Sequence, residues 1–417
     1  MSIDTAAETD DLTDSSAAWR RLVVSVIVAM IGGVGLWSTV VILPAIEAEF
    51  KLDRGAASLP YTATLVGFAL GGILMGRFVD RIGVALPVAF GGIMLAVGYI
   101  GSSFAQNFWQ YVAAQAVLIG FLGSSVSFGP LVADISLWFQ KRRGIAVALV
   151  ASGNYFAGAF WPPLIQWGVE EIGWRQTNVV IGLVCVALMV PLSLLLRRRI
   201  DTTSQAAAGP ATATARYQMP MSKGGLQALL ILAGIACCVA MSMPQVHIVA
   251  YCVELGYGSG PGAEMLSLML GFGIVSRLAS GLIADKIGGL ATLLLGSTLQ
   301  CIALFLYLPF DGLVPLYVVS IIFGLSQGGI VPSYALIVRD YFPAREAGTR
   351  VSVVLMSTVL GMAIGGWLSG LIFDWTGSYQ AAFWHGIAWN VLNMGIAVWL
   401  LTSRRPAEPP RAMVSPA

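Results

Sequence analysis

The residue with the most chemical potential in this sequence is a single arginine inside an apolar run. Arg277 stands in Val275-Ser276-Arg277-Leu278-Ala279-Ser280-Gly281-Leu282, with no other charge between Met265 and Ala284. A charge at mid-membrane depth costs about 2.5–3.5 kcal/mol on insertion scales, so it needs a compensating role. Facing a water-filled cavity, the planar guanidinium can take a carboxylate by two parallel hydrogen bonds. Pairing with Asp285 or with backbone carbonyls is the structural alternative. One guanidinium neutralises one carboxylate, which points to a monoanion. His247 follows Pro244 in another apolar run, and a cavity histidine could bind substrate or take a proton. A histidine hydrogen-bonded at the outer interface fits equally well. Asn154, Gln327 and Tyr334 are polar groups in apolar surroundings that need partners. Tyr61, Tyr155 and Trp367 add polar-edged aromatic surface, with Trp37, Trp161 and Ser333 as weaker companions. The five cysteines lie in apolar runs without C-x-x-C spacing and read as buried thiols. There is no histidine cluster, no Ser/His/Asp set and no phosphate loop, so neither an enzyme, a metal nor a cofactor is expected.

Such residues need elements suited to lipid. The chain has 417 residues, 57% hydrophobic and only 11% charged, against roughly 25% charged in soluble domains. So few ionisable groups cannot cover a soluble protein of this size. A soluble enzyme, a nucleic-acid binder and a secreted disulfide scaffold are thereby excluded. Apolar runs near the ~20 residues that a bilayer requires fall at 22–46, 59–79, 86–104, 109–132, 145–169 and 177–196. A second set falls at 225–252, 264–284, 290–309, 313–338, 348–372 and 380–401. The expected fold class is therefore all-α integral membrane, with twelve transmembrane helices in two six-helix pseudo-repeats.

The basic residues set the orientation. Nineteen of the 23 Lys and Arg fall on the side of the termini, Lys51, Arg54 and Arg175 fall on the other, and Arg277 is left within a span. The positive-inside rule then puts both termini in the cytoplasm of a multi-pass inner-membrane protein. Residues 1–21 are polar and acidic and read as a disordered leader rather than a signal peptide. The N-terminal half covers 22–199 and the C-terminal half 225–402. Between them, 200–224 is Ala/Thr/Gly/Pro-rich and reads as a cytoplasmic linker, and 403–417 is a cytoplasmic tail.

The halves repeat. Asp80-Arg81-Ile82-Gly83 recurs as Asp285-Lys286-Ile287-Gly288, Trp138-Phe139 as Tyr341-Phe342, and Gly173, Gln176 and Gly182 as Gly377, Gln380 and Gly386. Two parallel six-helix repeats around a central cavity suit a secondary transporter. Glycines at small-xxx-small spacing, such as Gly67/Gly71 and Gly361/Gly365, let helix backbones approach closely.

The segment Gly76-Arg77-Phe78-Val79-Asp80-Arg81-Ile82-Gly83 resembles the signature loop of the major facilitator superfamily, with Gly281 to Gly288 as its second copy. That resemblance implies a gating role for Asp80, Arg81, Asp285 and Lys286. Asp80 would face the positive end of the eleventh span near Gly348. The two basic residues that usually follow the second glycine are Val84 and Ala85 here. Trp138-Phe139-Gln140-Lys141-Arg142-Arg143-Gly144-Ile145-Ala146, followed by Gly153, is similar to the start of the fifth helix in the monocarboxylate transporter family. That family's bacterial relatives include oxalate–formate exchangers. Glu49 to Arg54, followed by Ser58, resembles the loop after its first helix, and Arg277 matches its intramembrane arginine. Two positions depart from the pattern. Where members often carry an aspartate, four residues before the arginine, Gly273 stands, and neither 22–46 nor 348–372 contains a lysine.

The resemblance implies a secondary active transporter of small monocarboxylate anions, working by alternating access and coupled to protons. An organic-anion exchanger or a carboxylate efflux carrier is the alternative. A non-transporting carboxylate sensor is the reading from a different class. The expected substrate-binding set is Arg277, His247, Asn154, Tyr155, Tyr61, Gln327, Tyr334 and Trp367. The expected partners are a small carboxylate, a proton or counter-anion and the lipid bilayer, with no nucleic acid and a monomeric state.

Overall fold

The computed structural model describes residues 13–198 and 217–406, almost all of them helical. Among the described residues, eleven helical stretches are long and apolar enough to cross a membrane. Those in the first half are Ser16–Phe50 (α1), Arg54–Val79 (α2), Ala85–Ser103 (α3), Phe108–Trp138 (α4) and Gly144–Leu195. The second half has Lys223–Glu254 (α7), Ser259–Ile287 (α8), Gly289–Leu306 (α9), Leu313–Tyr341 (α10), Arg350–Thr376 (α11) and Tyr379–Ser403 (α12). The stretch Gly144–Leu195 is two crossings, because Gly173 turns the chain with φ 80 and ψ 156. Only glycine takes that backbone conformation without strain. Divided there into α5 (144–172) and α6 (174–195), the chain makes twelve crossings in two sets of six, the architecture expected from its hydropathy.

The connections α1–α2, α5–α6, α7–α8 and α11–α12 share one end of the bundle, here the far end. The starts of α1 and α7 and the end of α12 share the opposite, termini end. There, Tyr217–Gln218 pairs with Arg405–Pro406 as a two-residue antiparallel ladder, fastening the chain before α7 to the chain after α12. Of the expected leader, linker and tail, residues 1–12, 199–216 and 407–417 lie outside the described residues. The described remainder differs from expectation at its start. Helix α1 begins at Ser16, capped by Ser15 Oγ, which accepts from the Ala18 amide at 3.3 Å. The cause is Arg21, drawn into the bundle to donate to both carboxylate oxygens of Asp134 at 2.7 and 2.8 Å. Its guanidinium also donates to the Leu196 and Arg198 carbonyls and lies 4.4 Å from the Trp138 ring centre.

Helices α1 and α7 are the most buried of the twelve. The halves meet chiefly along α5 against α8 and α2 against α11. Two helices lose regular geometry at corresponding depths. In α4, a π-helical segment Ala114–Gly123 passes into a 3-10 turn Ser124–Ser127 and breaks at Phe128, with φ −126 and ψ −89. In α10, Leu313–Gln327 and Ile330–Tyr341 are separated at Gly328-Gly329. Irregular backbone at membrane depth is tolerated only where protein or a cavity shelters it. Both breaks lie beside the cavity described next.

Candidate functional site: an inter-half cavity and a closed far end

Between the halves lies a cavity of about 180 Å3, walled by residues of α1, α2, α4 and α5 on one side and α7, α8, α10 and α11 on the other. Arg277 reaches it from α8. Its Nε donates to the Gly328 carbonyl at 3.2 Å and Nη1 to the Ala151 carbonyl at 2.9 Å. The first carbonyl is exposed by the α10 break, and the second belongs to the opposite half. The guanidinium lies over the Tyr155 ring, 4.2 Å from its centre. Among the described residues no Asp or Glu forms an ion pair with it. Nη2 makes no hydrogen bond there either. The cation is thus oriented by two carbonyls and an aromatic face, none of which cancels its charge.

Gly273 explains how this arrangement fits. A Cβ at that position would overlap the Tyr155 ring. The space that an acidic side chain would occupy, one turn before Arg277, is filled by the tyrosine on which the arginine rests. Gly328 permits the companion approach, since a Cβ there would collide with the Gly273 carbonyl. Small residues on α8 and α10 therefore hold the guanidinium, its ring and its carbonyl support within contact distance.

The other expected binding residues divide into two groups. Tyr61, Asn154 and Tyr155 line the cavity with Arg277. Trp37 Nε1 donates to both the Asn154 side-chain oxygen and its backbone carbonyl at 3.0 Å, leaving the amide nitrogen of Asn154 free to donate. Tyr61 packs flat against Gly366, and its hydroxyl makes no hydrogen bond among the described residues. Gln327, Tyr334, His247 and Trp367 lie elsewhere. Gln327 is buried behind the wall, where its Oε1 accepts from Gln245 Nε2. Gln245, which lines the cavity, was missed by sequence reasoning, although its place two residues before His247 was a usable signal. Tyr334 donates to Asn393 Oδ1 at 2.8 Å inside the C-terminal half. Trp367 is 37% exposed on the outer face of α11.

His247 belongs to a different assembly, which closes the far end. At its centre is Arg54, buried at the start of α2. Arg54 Nε lies 2.8 Å from Glu47 Oε2, and Nη2 lies 3.8 Å from Glu254 Oε2 of the other half. Nη1 donates to the Tyr379 hydroxyl at 2.7 Å and to the Ala250 carbonyl at 3.4 Å, and the guanidinium sits over the Phe373 ring. Asp374 accepts from the Arg54 and Gly55 amides at 2.8 and 2.7 Å, so the free N–H groups that open α2 are capped from the opposite half. His247 Nε2 lies 2.7 Å from the Gly366 carbonyl, and Nδ1 lies 3.2 Å from the Tyr379 hydroxyl. A carbonyl only accepts, so Nε2 carries the proton and Nδ1 accepts from Tyr379. Both ring nitrogens are engaged in the closure, and neither reaches the Arg277 cavity. A second link, Gln166 Nε2 to Ser259 Oγ at 2.5 Å, joins α5 to α8 at the same end. The far end is shut, and the cavity lies on the termini side of that seal.

At the termini end, Asp285 and Lys286 are exposed and line a polar cleft of about 190 Å3 with Asp340 and Tyr341 of the same half and with Tyr217 and Arg404, which flank that half. Arg81 is exposed. The Asp80 side chain and the surroundings of Gly348 lie outside what the structure describes, so the expected latch does too. The aromatic-Phe motifs have a visible task. Arg21 lies over Trp138, and Trp19 meets Phe139 edge to face in the first half, while Arg350 lies over Phe342 in the second. Asp14 adds a clasp, accepting from the amides of Gln140, Lys141 and Arg142. These amides hold its carboxyl below the usual carboxylate range, Lys141 contributing most.

Comparison with known proteins agrees with this architecture. The Major Facilitator Superfamily profile matches residues 25–333 and 267–415. Monocarboxylate transporter 13 of Rattus norvegicus is 28% identical over 373 residues, covering 85% of this chain and 82% of that protein. The MFS-type transporter pynF of Aspergillus niger is 25% identical over 347 residues, covering 82% and 77%. Among solved structures, a bacterial homologue of the human lysosomal transporter Spinster, in an inward-facing and unoccupied conformation, superposes with a TM-score of 0.68. It is 12% identical and covers 94% of this chain and 96% of its own. With twelve crossings in two halves, a cavity between them and a family match spanning nearly the whole length, the chain belongs to the Major Facilitator Superfamily and is a membrane transporter, not an enzyme.

Proposed function

We propose that this protein is a secondary transporter of monocarboxylate anions, working by alternating access in the cell inner membrane with both termini cytoplasmic. The observation that carries this reading is Arg277, a cation on the wall of the inter-half cavity with no carboxylate partner among the described residues. Its free donors suit one carboxylate, and one carboxylate cancels its charge. A bare guanidinium resists being closed into a dry site, because an unpaired buried charge is strongly unfavourable. Bound anion removes that resistance, which couples binding to closure of the termini end and release of the Arg54 clasp.

Two coupling modes follow from the same site. In proton symport, the proton-carrying candidates are the titratable groups of the far-end closure, His247 together with Glu47, Glu254 and Asp374. Exchange of one anion for another is favoured by a specific observation. At Gly273 the Tyr155 ring fills the place of an acidic side chain, so no carboxylate is available there to neutralise Arg277 during an empty return. The functional reading also draws on the resemblance to Monocarboxylate transporter 13.

Uptake of labelled monocarboxylates into proteoliposomes tests the proposal. The expected result is saturable entry that Arg277→Ala reduces to the level of empty liposomes. Stimulation by an inward proton gradient identifies symport, and stimulation by internal unlabelled anion identifies exchange. Normal uptake by Arg277→Ala would remove the physical basis of the assignment.

A further inference from the structure

We propose that the carboxylate held by Arg277 carries an apolar body of aryl or branched-alkyl size, which lies toward a slot between α2 and α11 that opens the cavity sideways to the bilayer. This inference rests on the reading of Arg277 as the anion anchor.

The cavity is polar only around that anchor. Asn154, Gln245 and the hydroxyls of Tyr61 and Tyr155 supply the remaining hydrogen-bonding groups, while Trp37 Nε1 is already committed to Asn154 and the Thr358 hydroxyl to the Leu355 carbonyl at 2.7 Å. The rest of the wall is Leu65, Phe68, Phe128, Val331, Met356 and Met362, with other apolar neighbours. An acid of two or three carbons would leave most of that surface untouched. A polar group on the part of the ligand that lies beyond Arg277 and these few side chains would be desolvated against that surface without a partner. Size agrees with composition. A dry cavity of roughly 150 Å3 accepts a benzene-sized guest, and this one measures about 180 Å3.

The apolar wall does not end at the cavity. Leu65, Met356 and Val359 are shared with an adjoining apolar space of about 210 Å3, completed by Ala69, Ile73 and Ala363 among others. Its outer rim, Val66, Leu70, Ile73 and Leu360, is exposed at mid-span, where lipid lies. The slot has a structural cause. Helices α2 and α11 are fastened toward the far end, where Thr62 Oγ1 donates to the Ala363 carbonyl at 3.0 Å. Nearby, Tyr61 packs on Gly366, and the backbone at Arg54 and Gly55 packs on Gly370. From Leu65 toward the termini end, no comparable link joins the two helices among the described residues, and only apolar side chains face the gap. The charged head therefore has one polar station, and the body has a continuous apolar path from that station to the membrane.

The test is calorimetric titration of the purified protein in lipid nanodiscs with acetate, isovalerate, phenylacetate and 3-phenylpropionate. 3-Phenylpropionamide is the uncharged control, and heats from empty nanodiscs are subtracted. The expected Kd falls at least tenfold from acetate to 3-phenylpropionate, while the amide binds at least tenfold more weakly than its acid. Leu65→Gln, and separately Ala69→Trp filling the slot, bring the aryl acid to within about threefold of acetate. Equal Kd values for acetate and 3-phenylpropionate in the wild type, both lost in Arg277→Gln, would overturn the apolar-body proposal and leave the anchor standing. Acid and amide binding alike, or aryl-acid binding undiminished in Arg277→Gln, would overturn the anchor and this inference with it. The wild-type ligand series decides between these results even if a slot variant fails to fold.

Discussion

Arg54 and Arg277 are both arginines removed from bulk water, and the protein treats them in opposite ways. Arg54 has its charge cancelled: two glutamates, a tyrosine hydroxyl, a carbonyl and a phenylalanine ring surround it, drawn from both halves. Arg277 has two carbonyls and a tyrosine ring and no anion among the described residues. A guanidinium whose charge is already cancelled works as a clasp. One whose geometry is fixed but whose charge is left open works as a receptor. The contrast also assigns the two ends of the molecule: closure is built into the far end, and the transported anion has to supply what the cavity lacks.

The largest expected effect is at the receptor. Charge-assisted hydrogen bonds contribute about 1.5–3 kcal/mol each, so Arg277→Gln should weaken anion binding by about 100-fold or more. Arg277→Lys keeps the charge but loses the planar fork, and should recover only a small part of the loss in titrations of the purified protein. At the clasp, Arg54→Ala leaves Glu47 and Glu254 without their cation. The buried charge-assisted hydrogen bond to Tyr379 is lost as well, at about 1.5–3 kcal/mol, enough to shift the population toward an open far end. Spin-label distances between the α1–α2 and α11–α12 connections would lengthen, and an unchanged distribution would show that Arg54 does not hold the halves together. A third experiment makes the receptor resemble the clasp. Gly273→Asp combined with Tyr155→Ala provides both a carboxylate and the room for it, and should lower anion affinity about tenfold relative to Tyr155→Ala alone. Equal affinity in the two variants would mean that charge cancellation at Arg277 is irrelevant to binding.

Smaller effects are expected from peripheral members of each assembly. Tyr379→Phe removes the hydroxyl that links Arg54 to His247. It should shift the far-end distance distribution by a factor of about five, near 1 kcal/mol for one hydrogen bond. Adding His247→Ala should then change little further, as members of one network are not additive. The smallest effect belongs to Asp14, whose carboxyl is held low by backbone amides. A depressed folded pKa gives stability that is complete above the unfolded value, near 3.8, and is lost as pH falls through the folded one. The slight Tm difference between wild type and Asp14→Asn at pH 7 should therefore shrink only under strongly acidic conditions. Persistence of the full difference at pH 2 would refute the carboxylate clasp.

The sequence made some of this legible and hid the rest for physical reasons. Hydropathy alone exposes twelve crossings, because each must be apolar over the thickness of a bilayer whatever it packs against. Arg277 is equally visible, since a charge in an apolar run has few excuses. Tyr61, Asn154 and Tyr155 share the cavity wall with it. The clasp was much harder to see. Arg54 counts as one more basic residue at a helix end until Glu254, Asp374 and Tyr379 are brought to it from positions 200 or more residues away. His247 fitted two readings for the same reason, because only its partners distinguish a ligand from a bolt. The apolar cavity wall was invisible in principle: in a membrane protein, a phenylalanine facing substrate and one facing lipid are the same letter. Trp367 shows this in reverse, an aromatic on the eleventh span that looks outward.

The Tyr155 ring against Gly273 bears on how such a carrier can change over generations. A glycine codon and an aspartate codon can differ by a single base, so an acidic partner for Arg277 lies one mutation away on paper. The ring occupies the volume that the new side chain would need, so the direct step produces a collision before it can produce a new coupling mode. The order of substitutions is thereby constrained: position 155 has to shrink first, and that intermediate has to function with its arginine unsupported by an aromatic face. Steric occupancy at one helix crossing acts as a lineage barrier, separating carriers that pair their arginine internally from those that leave the task to their cargo.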